Sequence, residues 1–433
     1  MKKLFFTINA LLLLFISANA QDDIYPTKEH KGKLFITNGT IHIGNGQVIE
    51  KGTIEINNDK IIAVGKDITV SNDAKIIDAQ GQQIYPGLIL PVTDLGLKEI
   101  GAGVRGSNDY QELGDYNPSI RSVVAYNTDS KVINTLRSNG ILLACVTPSG
   151  GTISGSSSVV QLDAWNWEDA AYKQDNGIHL NMPTFIPRPA RFRNPAEQQN
   201  DPSRLALEKI DQIKTFFNQA KAYAQEATHK ETNLKFEAVK GLFNKKQKLF
   251  IHADQVKQML TAIDMVKELN LDAVIIGGSE SWQIAELLKQ NNISVILNQQ
   301  HVLPSTEDDD VDQPYKTPAM LQKAGVLFAL NDDHEESRYR NLPFNAGTAA
   351  AYGLGREEAL QAITLNAAKI LGVDDRTGSI EAGKDANIVI STGDILDMRT
   401  SNITRAIIQG RDVNLDNKQK QLYERYKEKY SLK

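Results

Sequence analysis

Residues 248–278 read KLFIHADQVKQMLTAIDMVKELNLDAVIIGG, and this stretch decides the fold. KLFIHA is an apolar run of strand length. QVKQMLTAIDMVKEL places apolar residues three and four apart, the period of a helix with one buried face. DAVIIGG is apolar again and stops on glycines, as a buried strand does. Strand, helix and strand in direct succession form the unit of a parallel sheet. The alternation continues through WQIAELLKQ (282–290), ISVIL (293–297), TPAMLQKAG (317–325) and VLFAL (326–330), with helices over 343–371. Upstream, residues 204–227 are helical in period and GILLACVTP (140–148) is strand-like. IYPGLILPV (84–92) reads as one continuous strand buried on both faces and opens the series. Alternation of this length predicts an α/β fold, a (β/α)8 TIM-type barrel over 84–377.

The two chain ends have a different pattern. KLFITNGTIHIGNGQVIEKGTIEINNDKIIAVG (33–65) alternates β-branched and polar residues and is broken by Asn-Gly and Gly-Asn-Gly, as short strands and turns are. β character returns at Gly378 in GSIEAGKDANIVIS (378–391) and ITRAIIQGRDV (403–413). Residues 33–83 and 378–413 are therefore expected to form one small composite β-sandwich beside the barrel. Residues 414–433 include NKQKQLYERYKEKY, a charged surface helix. TEDDD (306–310) lacks the spaced oxygen ligands of a calcium loop and reads as a solvated turn.

The 433 residues suit a barrel plus a smaller module, and 41% apolar with 23% charged residues is the profile of a globular protein. A net charge of −5, without a zinc finger or basic helix, excludes nucleic acid as the partner and leaves a small-molecule substrate or ligand. Residues 1–20 have the layout of a secretory signal: Lys2 and Lys3, an apolar run around 11–16, then Ala18-Asn19-Ala20 before Gln21. The apolar run is too short to span a bilayer. Cleavage near Ala20/Gln21 would deliver the chain to the periplasm or the medium. Cys145 is the single cysteine, so no intramolecular disulfide forms and no lipidated cysteine follows the signal.

Three stretches together resemble the amidohydrolase superfamily, and within it the imidazolonepropionase-like branch. They are TIEINNDKIIAVG (53–65), IDAQGQQIYPGLI (77–89) and FNAGTAAAYGLGREEALQAITLNAAKILGVDDRTGSIEAGKDANIVI (344–390). The resemblance implies a β-sandwich from both chain ends flanking a metal-dependent barrel. It also implies hydrolysis of non-peptide carbon–nitrogen bonds, with a cyclic or other small amide as substrate. The family holds one or two divalent ions, usually zinc, on a His-x-His pair ending the first barrel strand, single histidines ending the fifth and sixth, and an aspartate ending the eighth. A lysine or glutamate can follow on the fourth. Neutral imidazoles and a carboxylate hold the ion with one position open for water.

This sequence departs from that pattern. Val92 and Asp94 stand where the His-x-His pair belongs, and valine cannot ligate. Asp94 can ligate, or cap the strand end. The sixth-strand histidine is replaced within Gly277-Gly278-Ser279-Glu280, where Glu280 reads as a helix-start carboxylate near Trp282. His252, ending KLFIHA, matches the fifth-strand ligand, and Asp333, in FALNDDHEE (328–336), matches the catalytic aspartate. The implied metal set is His252, Asp94 and Asp333, holding one divalent ion such as zinc, or none. Of seven histidines, only His252, His301 and His334 are expected at the barrel mouth, so a four-histidine site cannot be assembled. Asp332, Asp333 and His334 form the candidate acid–base group, with metal-free chemistry as its variant.

Arg105 and Arg338 are candidate substrate-binding residues because a guanidinium can grip a carboxylate with two bonds, although surface ion pairs serve equally well. PSGGTISGSSSVVQLDAWNWED (148–169) reads as a barrel loop, with an anion cradle as the alternative. The leading expectation is an exported amidohydrolase-like enzyme with a reduced metal site. The alternative is a catalytically silent binding or partner subunit, as a homo-oligomer or paired with a related amidohydrolase.

Overall fold

The computed structural model describes residues 25–71, 73–99, 108–186, 201–298, 300–304, 306, 308–332 and 338–432. Two sheets organise them. The first is built from both chain ends. Its N-terminal strands are β1 (Lys33–His42), β2 (Val48–Asn57), β3 (Lys60–Gly65), β4 (Lys75–Asp78) and β5 (Gln83–Pro86). Its C-terminal strands are β14 (Ile388–Ser391), β15 (Ile403–Ile408) and β16 (Arg411–Asp412). The order is β16-β15-β14-β5-β1-β2-β3, with β4 also beside β1. β1 is the pivot. Its first half pairs in parallel with β4 and its second half with β5. Between the halves Asn38 adopts a left-handed φ of 58°, which Asn tolerates better than most residues. Ile36, Ile41, Ile54, Ile84, Ile390 and Ile407 share one core, so neither chain end completes the sheet without the other.

The second sheet is the barrel: β6 (Leu88–Thr93), β7 (Ile141–Val146), β8 (Ile153–Gln161), β9 (Ala171–Asn181), β10 (Lys248–Ala253), β11 (Ala273–Gly277), β12 (Ser294–Leu297) and β13 (Phe328–Leu330). The expected eight-stranded TIM-type barrel is thus present, with one strand reversed: β8 runs antiparallel to both β7 and β9. The connections explain the reversal. Only residues 147–152 separate β7 from β8, too few for the crossover that parallel neighbours need.

Two readings of the sequence are corrected here. IYPGLILPV is two strands, because Ile84 and Tyr85 pair with β14 in the terminal sheet while Leu88 begins the barrel. The Ser-rich stretch read as a loop is largely β8, buried along its whole length. Its hydroxyls are committed internally: Ser157 Oγ donates to Asn176 Oδ1 at 2.9 Å, and Ser158 Oγ accepts from the Asp175 N–H at 2.9 Å. They do not form an anion cradle.

Outer helices cover the barrel. Pro202–Gln225 buries Ile210, Ile213 and Phe217. Val256–Leu269 buries Met259, Ile263 and Val266. The return to the terminal sheet turns at Gly378, whose φ is +89° and where an added Cβ would lie 2.6 Å from the Ala368 side chain, so only glycine fits. Among the described residues no helix is long and apolar enough to cross a membrane.

Two buried carboxylates clamp the sheets together. Asp385 meets Lys60 of β3, Arg376 at 3.0 Å and the Tyr172 hydroxyl of β9 at 2.5 Å. Burial pushes its carboxyl up, but hydrogen bonds from Lys60 and Tyr172 and the Arg376 charge outweigh this and hold it below the usual carboxylate range. Asp163, just after β8, pairs with Arg137 at 2.5 Å and lies 3.5 Å from Arg411 of β16. The Asp163 and Arg137 side chains are 0% and 4% exposed, so water cannot take over either charge. Asp163→Asn is predicted to cost about 3 kcal/mol or more in urea unfolding, because it strands a buried guanidinium. The double change Arg137→Met with Asp163→Leu is predicted to cost less than Asp163→Asn alone. A loss below about 1 kcal/mol for Asp163→Asn, the range of exposed pairs, would contradict the clamp.

Candidate functional site

The C-terminal ends of the barrel strands carry the candidate site, as the barrel architecture dictates. β9 and β10 run parallel, with Phe250 opposite His179 and His252 opposite Asn181. Period-2 alternation puts these four side chains on one face. The result is a pair of imidazoles: His179 Nδ1 lies 3.0 Å from His252 Nε2. His179 also stacks on Phe250, with centroids 5.0 Å apart and ring planes within 10°.

Burial lowers both rings below the ordinary histidine range, His252 to about 4 and His179 well below normal, the latter also through His252. Both are therefore neutral at pH 7, and one N–H bridges them. The buried Nε2 of His179 has no hydrogen-bond partner among the described residues. A stranded lone pair costs less than a stranded N–H. This selects the tautomer in which His179 Nδ1–H donates and His252 Nε2 accepts.

His179 was not among the histidines expected at the mouth. The signal was there in GIHLN (177–181), where His179 and Asn181 alternate with the apolar Ile178 and Leu180. His301, which was expected there, is exposed and binds Thr348 Oγ1 at 2.7 Å. Arg338 is half-buried, and its charge adds to burial in lowering His301.

Val92, on β6, and Asp94, just after it, where the sequence reading looked for the His-x-His pair, have structural duties. The Val92 N–H donates to Asn331 Oδ1 at 3.2 Å, and Asp94 Oδ1 accepts from the Tyr339 hydroxyl. Asp332 is buried and accepts from Asn345 Nδ2 at 2.8 Å, while Asn345 Oδ1 accepts from the Gln300 N–H. At the end of β11, Gly277 and Gly278 both have positive φ. Glu280 accepts from the Val256 N–H at 2.7 Å and so caps the start of the helix that precedes it, where the sequence suggested the helix that follows. Asp333, His334 and Arg105 lie outside the described residues.

The fit to a metal follows from these contacts. A zinc ion in a catalytic site takes three protein ligands and leaves one position open. His179 and His252 are neutral, as ligands must be. Among the described residues, however, no three His, Cys, Asp or Glu side chains converge to hold an ion. The described residues alone do not fit a catalytic metal, and the described part of the mouth offers an imidazole pair in its place.

Comparison with known proteins agrees with the fold. The amidohydrolase family model matches residues 211–413. Imidazolonepropionase from Symbiobacterium thermophilum is 25% identical over 377 residues, 79% of this chain and 84% of that protein. The crystal structure of an amidohydrolase from Thermotoga maritima superposes with a TM-score of 0.76 at 28% identity, covering 88% of this chain and 99% of that one. An adenosine deaminase from Xanthomonas campestris with bound zinc shares the fold, at a TM-score of 0.54 and 14% identity over 93% of this chain and 98% of that one. These likenesses agree on one family: the chain resembles the amidohydrolase superfamily over most of its length, on its imidazolonepropionase-like branch, and they support the hydrolysis of carbon–nitrogen bonds as its class of chemistry.

Proposed function

We propose that this chain is an exported hydrolase of a cyclic or other small amide, working at the barrel mouth with a site that holds at most one divalent ion. The neutral His179–His252 pair at the ends of β9 and β10 is the observation that carries this reading. An imidazole titrating near 4 is a poor proton acceptor at pH 7, and the neutral His252 can serve an ion or a substrate N–H once its Nε2 gives up the bond from His179. The reduction is supported by Val92, which has no donor, by Gly277 at the end of β11, and by Asp94, held by Tyr339. Export is supported by the pattern of residues 1–20.

The same replacements favour a second reading, a binding or partner subunit without turnover. A panel of lactams, cyclic imides and simple amides separates the two. Hydrolysis of at least one, reduced about 100-fold by His252→Ala with the fold intact, is the expected result. Ligand binding without turnover across the panel would favour the second reading.

The pair also sets a pH dependence. Folding lowers the His252 pKa from 6.5 to about 4, so the unfolded chain binds the proton first. The stability involved is fully present above about 6.5 and is lost as pH falls toward 4, by about 1.4 kcal/mol per pH unit. Urea midpoints of chelator-treated protein should therefore drop between pH 7 and pH 5, and His252→Asn should flatten the slope. Identical slopes in the two proteins would refute a half-buried, neutral His252.

A further inference from the structure

A cavity of about 380 Å³ opens over the ends of β10, β11 and β12, a volume in the range of small-molecule sites. We propose that this cavity is a cation subsite, in which Asp254 recognises an ammonium or guanidinium group carried by the substrate on an apolar stem. The proposal deepens the amide-hydrolase reading and rests on it for the word substrate; the cation preference itself rests on the cavity.

Asp254 follows β10 directly, and Gly277 ends the neighbouring strand β11. At Gly277, φ is +99° and an added Cβ would lie 2.6 Å from Asp254 Oδ1. The missing side chain is what gives the carboxylate its place. The backbone holds it there: the Asp254 carbonyl accepts from the Glu280 N–H at 3.1 Å and from Ser279 Oγ at 3.3 Å. The end of β11, where the sequence reading looked for a sixth-strand histidine within residues 277–280, thus accommodates an acid from the adjacent strand.

The two glutamines of the cavity each turn an N–H inward to the protein. Gln300 Nε2 donates to the Asn298 carbonyl at 2.6 Å, and Gln313 Nε2 to Thr317 Oγ1 at 3.2 Å. Acceptors remain. Asn298 Oδ1 is buried without a partner among the described residues, and Asp309 also lines the cavity. No lysine, arginine or histidine is among the described lining residues. A ligand with several N–H donors and a positive charge satisfies this set, whereas an anion would meet two carboxylates. Leu297, Pro304 and Pro314 supply the surface for an apolar stem. Among the described residues no three His, Cys, Asp or Glu side chains converge to hold a metal ion, and the apolar wall beside the acceptors suits an organic cation.

The test is calorimetric titration of the purified, chelator-treated full chain with N-acetyl-argininamide, N-acetyl-norleucinamide and the α-amide of N-acetyl-glutamate. The arginine compound should bind about tenfold or more tighter than the norleucine compound, and the glutamate compound more weakly than either. Raising salt from about 0.05 to about 0.5 M should shrink the preference. Asp254→Asn should abolish it and Asp309→Asn should reduce it. If Asp254→Asn does not fold, Asp309→Asn and the salt dependence decide. Equal affinity for the arginine and norleucine compounds, no binding of the arginine compound, or a preference that survives in folded Asp254→Asn would overturn the proposal. Because the readout is binding, a chain that hydrolyses nothing yet keeps the preference refutes only the hydrolase reading.

Discussion

An eight-stranded barrel has to close, and in this one the first and last strands do not close it with a backbone ladder among the described residues. The hydrogen-bonded order runs from β13 to β6 and stops. An open edge invites pairing with other chains, so the gap has to be covered or bridged. Side chains and a helix do this. Asn331 reaches the Val92 N–H, Tyr339 reaches Asp94, and the Ile89 N–H donates to the Ile363 carbonyl just before helix Leu365–Leu371. The seam runs through Val92 and Asp94, the two places where the sequence reading looked for the His-x-His pair. The Val92 N–H and the Asp94 carboxylate are both engaged in completing the seam.

The imidazole pair and the cavity beside Asp254 lie away from the seam, at the ends of β9, β10 and β11. There the reversed strand β8 matters. It buries serines and glutamine beside Asn176, and Asn181 Nδ2 donates to Ser154 Oγ at 3.0 Å and to the Gly151 carbonyl at 2.8 Å. This polar support fixes β9 against β8 and presents His179 to His252. Two imidazoles 3.0 Å apart cannot both be charged, and burial makes both neutral. The clamps at Asp163 and Asp385 hold the terminal sheet against the same strands, with Tyr172 of β9 bonded directly to Asp385.

The fold was largely legible because its strands and helices are periodic. KLFIHA, DAVIIGG, ISVIL and VLFAL lie where their apolar runs suggest, and QVKQMLTAIDMVKEL is a helix with its apolar stripe buried. β8 and β9 were not legible, for a physical reason. Buried hydroxyls and amides that satisfy one another look like a polar loop when only the sequence is visible. His179 was lost with them, since a histidine in an unrecognised strand has no face. That valine and glycine carry no ligand at Val92 and Gly277 is plain from the residue types, but the contacts made at those places could not be read. Tyr339 and Asp254 reach them across the fold, and no spacing in the chain records those contacts.

The account stands on the claim that this barrel retains at most a single-ion site. Metal content per chain decides it most directly. The full protein would be produced in medium supplemented with zinc, manganese and iron, separated from free metal by gel filtration, and quantified by plasma mass spectrometry against protein concentration. At most one tightly bound divalent ion per chain is predicted, and that ion should be lost in His252→Ala. Two tightly bound ions per chain would contradict the account, because Val92 and Gly277 contribute no ligand side chains to a two-metal centre.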